Sequence, residues 1–227
     1  MNNPTQLYAR FAGVAYLLTF VSSIPAVFLL APVLQDSGFI TGGPQFDRQV
    51  IIGNLLDTTN AMACVASALF LYPILRERAQ VRAIGFLSAR LFEAAIIMMG
   101  VVSLLATVSL RQLNELPNRF DPATITSIGE ALLAVRDWTF LLGPGLIPAF
   151  NALMLATVLY QFKMVPRLIP LMGMIGAPLL IVSAVSTAFG LFAQDSVTAA
   201  FAALPIALWE FSVALWLIFK GIKGKAA

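Results

Sequence analysis

Hydrophobic residues in this chain come in six long runs, without the alternation of a sheet or the narrow stripe of a soluble helix, and polar residues gather between them. The runs fall at about 11–34, 50–75, 83–110, 139–162, 169–192 and 198–219. Each reaches the roughly 20 residues that span about 30 Å of hydrocarbon at 1.5 Å per residue. Unsatisfied backbone groups cannot face lipid, and the lack of period-two alternation argues against a barrel. The pattern predicts an all-α polytopic membrane protein, a six-transmembrane-helix bundle forming one domain over residues 1–227. The first run lacks a strongly basic start and a small-x-small cleavage site, so it reads as a helix and not as a removable signal. The longest connection, 111–138, has Asp121 as an N-cap, Pro122 at the first helical position, and Ile125, Ile128, Leu132 and Val135 at helical spacing. It predicts an amphipathic helix on the outer surface, a cap on the bundle or a lid over a cavity.

Composition sharpens the picture in two places. With 59% hydrophobic and 11% charged residues there is too little polar surface for a water-facing domain. The chain has no histidine and a single cysteine, Cys64, which excludes imidazole-held haem, histidine metal sites, a histidine proton relay and an intrachain disulfide. No metal site and no cofactor is expected, Cys64 reads as a packing residue, and acid–base work falls to carboxylates. Short loops and the lack of a Walker-type phosphate loop exclude ATP-driven transport by this chain alone.

Charge sets orientation. Arg10, Arg76, Arg78, Arg82, Lys163, Arg167, Lys220, Lys223 and Lys225 fall on one side of the predicted spans, against Arg48, Arg111, Arg119 and Arg136 on the other. Nine against four places both termini in the cytoplasm of a bacterial plasma (inner) membrane. The acids Asp36, Asp47, Glu115, Asp121, Glu130, Asp137 and Asp195 lie on the opposite side. The net charge of +3 is therefore topological. It fits contact with membrane lipid headgroups and makes no case for nucleic acid.

Candidate chemistry lies in the polar residues inside the runs, where an ionised side chain costs about 2.5–3.5 kcal/mol on insertion scales and is usually turned inward. Arg90 and Glu93, three residues apart, share one face of the third helix. Glu210 lies at similar depth in the sixth with no base in its own span, which leaves pairing with Arg90, protonation or contact with water. A triad of Arg90, Glu93 and Glu210 is the central expectation. Asn54, Asp57 and Asn60 make one side of the second helix polar, either as interhelical hydrogen bonds or as the wall of an outward-open cavity, and Asn151 in the fourth helix is a candidate for the same network. These seven residues are the ligand- or proton-binding candidates.

Helix breakers add a second locus. Gly143-Pro144-Gly145 and Pro148 are expected to begin the fourth helix, directly after Arg136-Asp137-Trp138, a charge pair with an interfacial aromatic at the mouth of the bundle. Pro25, Pro178 and Pro205 read as kinks, and Gly173 and Gly176 as close helix packing. The echo between Leu91-Phe92-Glu93 and Leu208-Trp209-Glu210 is too short to establish an inverted repeat.

The stretch Arg10-Phe11-Ala12-Gly13-Val14-Ala15-Tyr16-Leu17-Leu18 resembles the start of an uncharacterised bacterial multi-pass family, domain of unknown function 4386, and the likeness runs along most of the chain. Also similar to that family are the Arg90-x-x-Glu93 helix, Arg136-Asp137 before the fourth span, the Pro166-Arg167 turn and a glycine-rich fifth helix. The resemblance implies a six-helix fold in the bacterial inner membrane and names no reaction. Members often carry histidine near the position of Asp137; this chain has none, so a histidine-dependent activity would not carry over.

Three functional readings follow. The leading one is a protein, alone or as a homo-oligomer, that binds or translocates a small or lipidic molecule in a cavity lined by Arg90, Glu93, Glu210 and Asp57. The second is a membrane-embedded enzyme using a protonated carboxyl as general acid on an apolar lipid or isoprenoid. The third is a structural or regulatory subunit whose charges only dock helices.

Overall fold

The computed structural model describes residues 4–34, 39–40, 44–115 and 121–223, and among these there is no strand. Asp36, Arg119 and Lys225, used above for orientation, lie outside the described residues. Six helices follow in order: α1 (Pro4–Leu34), α2 (Asp47–Asn114), α3 (Pro122–Leu142), α4 (Ile147–Gln161), α5 (Leu168–Ala188) and α6 (Val197–Phe219). By length and composition five helical stretches could cross a membrane, of which Pro44–Asn114 and Pro122–Gln161 are longer than one crossing needs.

The length of α2 is resolved by a hairpin. Were it straight, the 64 residues from Asp47 to Arg111 would span about 96 Å. Instead these two side chains form an ion pair, Cys64 meets Arg90, and Ala61 packs with Ile97. All three pairs are nearly symmetric about Ala79, whose non-helical φ of −153° and ψ of 74° fold the helix back on itself. The break falls in Arg76-Glu77-Arg78-Ala79-Gln80-Val81-Arg82, where a turn exposes polar groups to water. The loop expected over 76–82 thus shrinks to one non-helical residue, and helical hydrogen bonding continues on either side.

Around this hairpin the other helices close a ring. Helix α1 packs on the first arm, where Leu30 covers Gly53, and on α6; α5 lies between α6 and α4; and α4 returns to the second arm. Small residues set the closest approaches, as expected where helices associate without a hydrophobic driving force. A Cβ at Gly13 would stand 2.7 Å from the backbone oxygen of Ala214, and one at Gly173 2.7 Å from the Trp209 ring. A Cβ at Gly176 would stand 3.0 Å from the Ile206 nitrogen, so both fifth-helix glycines serve packing.

Helix α3 does not lie across the end of the bundle. It runs antiparallel to the second arm, with the Ser103 hydroxyl donating to the Leu132 carbonyl at 2.5 Å. Its buried face is Ile125, Gly129, Leu133 and Arg136, while Ile128 and Val135 are exposed. The apolar spacing was right for a helix but chose a neighbouring face, because small Gly129 takes Ile40 against it and Arg136 is held inside by a charge. Asp121 does cap α3, accepting from the Thr124 N–H at 3.2 Å. Gly143 to Leu146 interrupt the rod between α3 and α4 and do not begin a separate span.

The two ends of the bundle differ in charge. At the basic end Arg82 donates to Gln161 at 2.5 Å, Lys223 N–H donates to the Met164 carbonyl, and Gln6 holds Ile222 through two bonds. The segments near both termini therefore meet beside the Ala79 turn. The opposite, acidic end holds Asp47, Glu115, Asp121 and Asp195 and a separate small core built from Leu30, Ile40, Leu104, Val108 and Ile125.

Candidate functional site

Buried charge is arranged in three tiers along the α2 hairpin. At 1.5 Å per residue from Ala79 they lie at about 16 Å (Arg90), 33 Å (Asp57) and 48 Å (Arg111).

The deepest tier centres on Arg90, which is 1% exposed. Its Nη1 donates to Glu93 Oε2 at 3.1 Å and its Nη2 to Glu210 Oε1 at 2.5 Å. Asn151 Nδ2 adds a second donor to Glu93 Oε2 at 2.5 Å, and Cys64 Sγ accepts from Arg90 at 3.5 Å. The guanidinium lies 4.7 Å from the Tyr16 ring centroid and 5.9 Å from that of Phe86. Side chains from α1, both arms of α2, α4 and α6 thus converge on one cation. Arg90 Nε and Asn151 Oδ1 have no partner among the described residues. One guanidinium faces two carboxylates, so with both acids ionised the tier carries one uncompensated negative charge.

The middle tier pairs Arg136 Nη2 with Asp57 Oδ2 at 2.7 Å, both residues being at most 5% exposed. Phe140 stacks on Arg136 at 5.1 Å, and Gly100 leaves room for it: a Cβ there would come within 3.1 Å of Nη1. The outer tier is a clasp on the hairpin, in which Arg111 binds Asp47 through two contacts and Glu115 at 2.8 Å, with Gln112 also donating to Asp47.

The structure thus joins Arg90, Glu93 and Glu210, as the spacing and the lack of another base implied, but separates them from Asp57. Asn151 belongs to the Glu93 network and not to that of Asp57. Arg136 and Asp137 are not a pair: consecutive helical residues point about 100° apart, so Arg136 turns in to Asp57 and Asp137 turns out. Asn54, Asp57 and Asn60 all face inward, with Asn54 bonded to its own backbone at Val50 and Asn60 in contact with Cys64. Trp138 is 52% exposed. Sequence reasoning missed Tyr16 and the Asp47–Arg111 clasp. Tyr16 could have been noticed as the one bulky residue on the small face Ala9, Ala12, Gly13; the clasp is invisible until the hairpin is known.

Over residues 11–221 the chain matches the family described as Domain of unknown function (DUF4386). It belongs to that family. No curated protein and no solved structure matches it. The two charged motifs that resemble the DUF4386 family fall in the deep and middle tiers, one on each side of the bundle's midsection.

Beside the middle tier lies a cavity of about 450 Å³. Val27, Leu30, Ala31 and Leu34 of α1 form one wall and Arg136, Asp137 and Phe140 of α3 another, with Gln194 and Asp195 from the α5–α6 connection completing it. None of Arg90, Glu93, Glu210 and Asp57 lines it. The single cavity expected from sequence around those four residues is therefore replaced by a packed cluster of the first three, an Asp57–Arg136 pair, and a cavity that Arg136 alone of these charged groups reaches.

Proposed function

We propose that this DUF4386 member is a bacterial inner-membrane protein that crosses the bilayer six times and holds a small or lipidic molecule in its outer cavity. Both arms of α2 cross, α3 and α4 together supply the fourth crossing, and both termini are cytoplasmic, in keeping with the excess of basic residues at that end. The observation that carries the reading is the cavity itself. Its volume of about 450 Å³ lies within the roughly 300–1,000 Å³ of small-molecule sites, and its walls combine apolar side chains with a few polar ones. The uncompensated charge at Arg90–Glu93–Glu210 supports a second role for the deep tier, the uptake of one proton or monovalent cation.

A structural role for that tier is the competing reading, favoured by the near-complete partner set of Arg90. Native mass spectrometry of gently extracted protein tests the ligand reading. A co-purifying molecule should be held by the wild type and lost from Ala31→Trp, which fills the cavity without touching an ion pair. An equal adduct in both proteins, or none in either, would overturn it.

A further inference from the structure

The chemistry of the cavity walls narrows the ligand class, an inference that rests on the ligand reading above. Asp57 and Arg136 neutralise each other, but the guanidinium uses only Nη2 on Asp57, and its Nε–H has no acceptor among the described residues. Arg136 is 3% exposed, so the spare hydrogen-bonding capacity belongs to a buried and positioned donor. Asp137 and Asp195, on facing walls of the same cavity, form no ion pair among the described residues. Between these polar groups lie Val27, Leu30, Ala31, Leu34 and Phe140.

We infer that the cavity between α1, α3 and the α5–α6 connection binds a zwitterionic amphiphile. Its anionic oxygens accept from the spare donors of Arg136, its ammonium lies between Asp137 and Asp195, and its apolar body runs along Leu30, Ala31 and Phe140. A purely anionic amphiphile would satisfy Arg136 but bring its charge against two unpaired carboxylates. A purely cationic one would satisfy the carboxylates and leave Arg136 without an acceptor. Only a ligand with both charges meets every charged group on the walls, since a charge left facing a like charge or without a partner costs affinity. An aminophospholipid headgroup and a free apolar amino acid share this chemistry.

The test is a native mass-spectrometric titration of the full chain in detergent with four probes. These are phosphatidylethanolamine, phosphatidylglycerol, dodecylamine and leucine, each added to the wild type and to the double variant Asp137→Asn/Asp195→Asn. Both substituted residues are exposed, so unchanged thermal melting serves as the folding control. The inference expects phosphatidylethanolamine or leucine to bind about tenfold more tightly than phosphatidylglycerol and dodecylamine, and this preference to vanish in the double variant. Preference for phosphatidylethanolamine over leucine assigns the source to the bilayer, and the reverse to solution. Equal affinity for phosphatidylethanolamine and phosphatidylglycerol with no leucine binding, or a preference unchanged in the variant, overturns the zwitterion assignment while leaving a ligand cavity. Failure of all four probes to bind, together with no adduct on the purified protein, would instead remove the ligand reading on which it rests.

Discussion

Replacing the three members of the deep tier one at a time should produce a graded and asymmetric loss of stability. Glu93 accepts two charge-assisted bonds, from Arg90 and Asn151, and Glu210 accepts one. Such bonds contribute about 1.5–3 kcal/mol each and are roughly twice as strong as neutral ones, so a glutamine oxygen in the same place retains about half. Glu93→Gln should therefore cost about 1.5–3 kcal/mol. Glu210→Gln weakens one bond, about 0.75–1.5 kcal/mol by the same reckoning; both glutamine substitutions relieve the same like-charge repulsion, so the difference between them rests on the bond count. Arg90→Gln leaves the buried Glu93 and the part-buried Glu210 without a cation, and stripping a partner from a buried pair costs about 3–5 kcal/mol. At about 2–4 °C per kcal/mol for a chain of this size, melting temperature should fall by about 6–20 °C for Arg90→Gln and 3–12 °C for Glu93→Gln. For Glu210→Gln the fall should be half that of Glu93→Gln, about 1.5–6 °C. Thermal melting followed by the fluorescence of buried Trp209 in one detergent reads all three. If Glu210→Gln melts as early as Glu93→Gln, the two-to-one bond count is wrong; if Arg90→Gln is the mildest, Arg90 is not the cation on which both acids rest.

Other substitutions test the frame. Gly13→Val, pressed against a backbone oxygen that cannot yield, should separate α1 from α6 at about 1–3 kcal/mol. Gly190→Ala should cost only about 1–2 kcal/mol, because its φ of +72° is unfavourable for alanine while nothing lies within 4 Å. Both are read by the same melting assay, and a loss under about 1 kcal/mol for Gly13→Val would show that the packing interface is not as close as described. In sealed right-side-out vesicles a membrane-impermeant maleimide should label Ala193→Cys but not Ala79→Cys, with native Cys64 silent because it is buried; labelling of both engineered sites would refute the six-crossing topology. Disulfide cross-linking of the pair Val50→Cys and Val108→Cys, two residues packed in one core cluster, should form within one chain if the α2 hairpin closes at its acidic end; its failure in folded protein would count against the clasp.

What the sequence revealed and what it concealed divide along a physical line. Helix existence was legible because lipid forces long apolar runs to hydrogen-bond internally, and the Arg90–Glu93–Glu210 contact was legible because so few charges are available that Glu210 had almost no other partner. The partner of Asp57 was hidden. Arg136 stood next to an acid in the chain, and adjacency in sequence suggested a pair that helical geometry forbids. Asn151 was likewise assigned by residue type to the amide-rich second helix, whereas its height on α4 places it beside Glu93. The fate of α3 was hidden too, since upright and flat helices share the same apolar spacing. Only the fit of Gly129 to Ile40 and of Gly100 to Arg136 distinguishes them.

The contrast between the tiers suggests where stability ends and activity begins. At the outer tier Arg111 meets Asp47 and the largely exposed Glu115, whose carboxylate is screened by water, so removing Glu115 should cost little. At the middle tier one cation meets one anion, and Arg136 also lines a cavity. Only at the deep tier do two acids of low exposure share one base, the Glu210 side chain being 14% accessible and that of Glu93 5%. Each acid holds a different helix, Glu210 tying α6 to Arg90 and Glu93 tying α4 through Asn151, so docking accounts for both contacts. What docking alone leaves uncompensated is the surplus charge. Between the two inner tiers Asp57, Asn60 and Cys64 recur at helical spacing on one buried face of the first arm, with Cys64 touching both Asn60 and Arg90, while Asp57 binds Arg136 at the cavity. Occupancy of the cavity should therefore be felt at the Arg90–Glu210 contact. An infrared band of the Glu210 side chain, identified by its loss in Glu210→Gln and shifted in the wild type when the cavity ligand is added, would show the coupling. A band indifferent to ligand would confine the deep tier to helix docking.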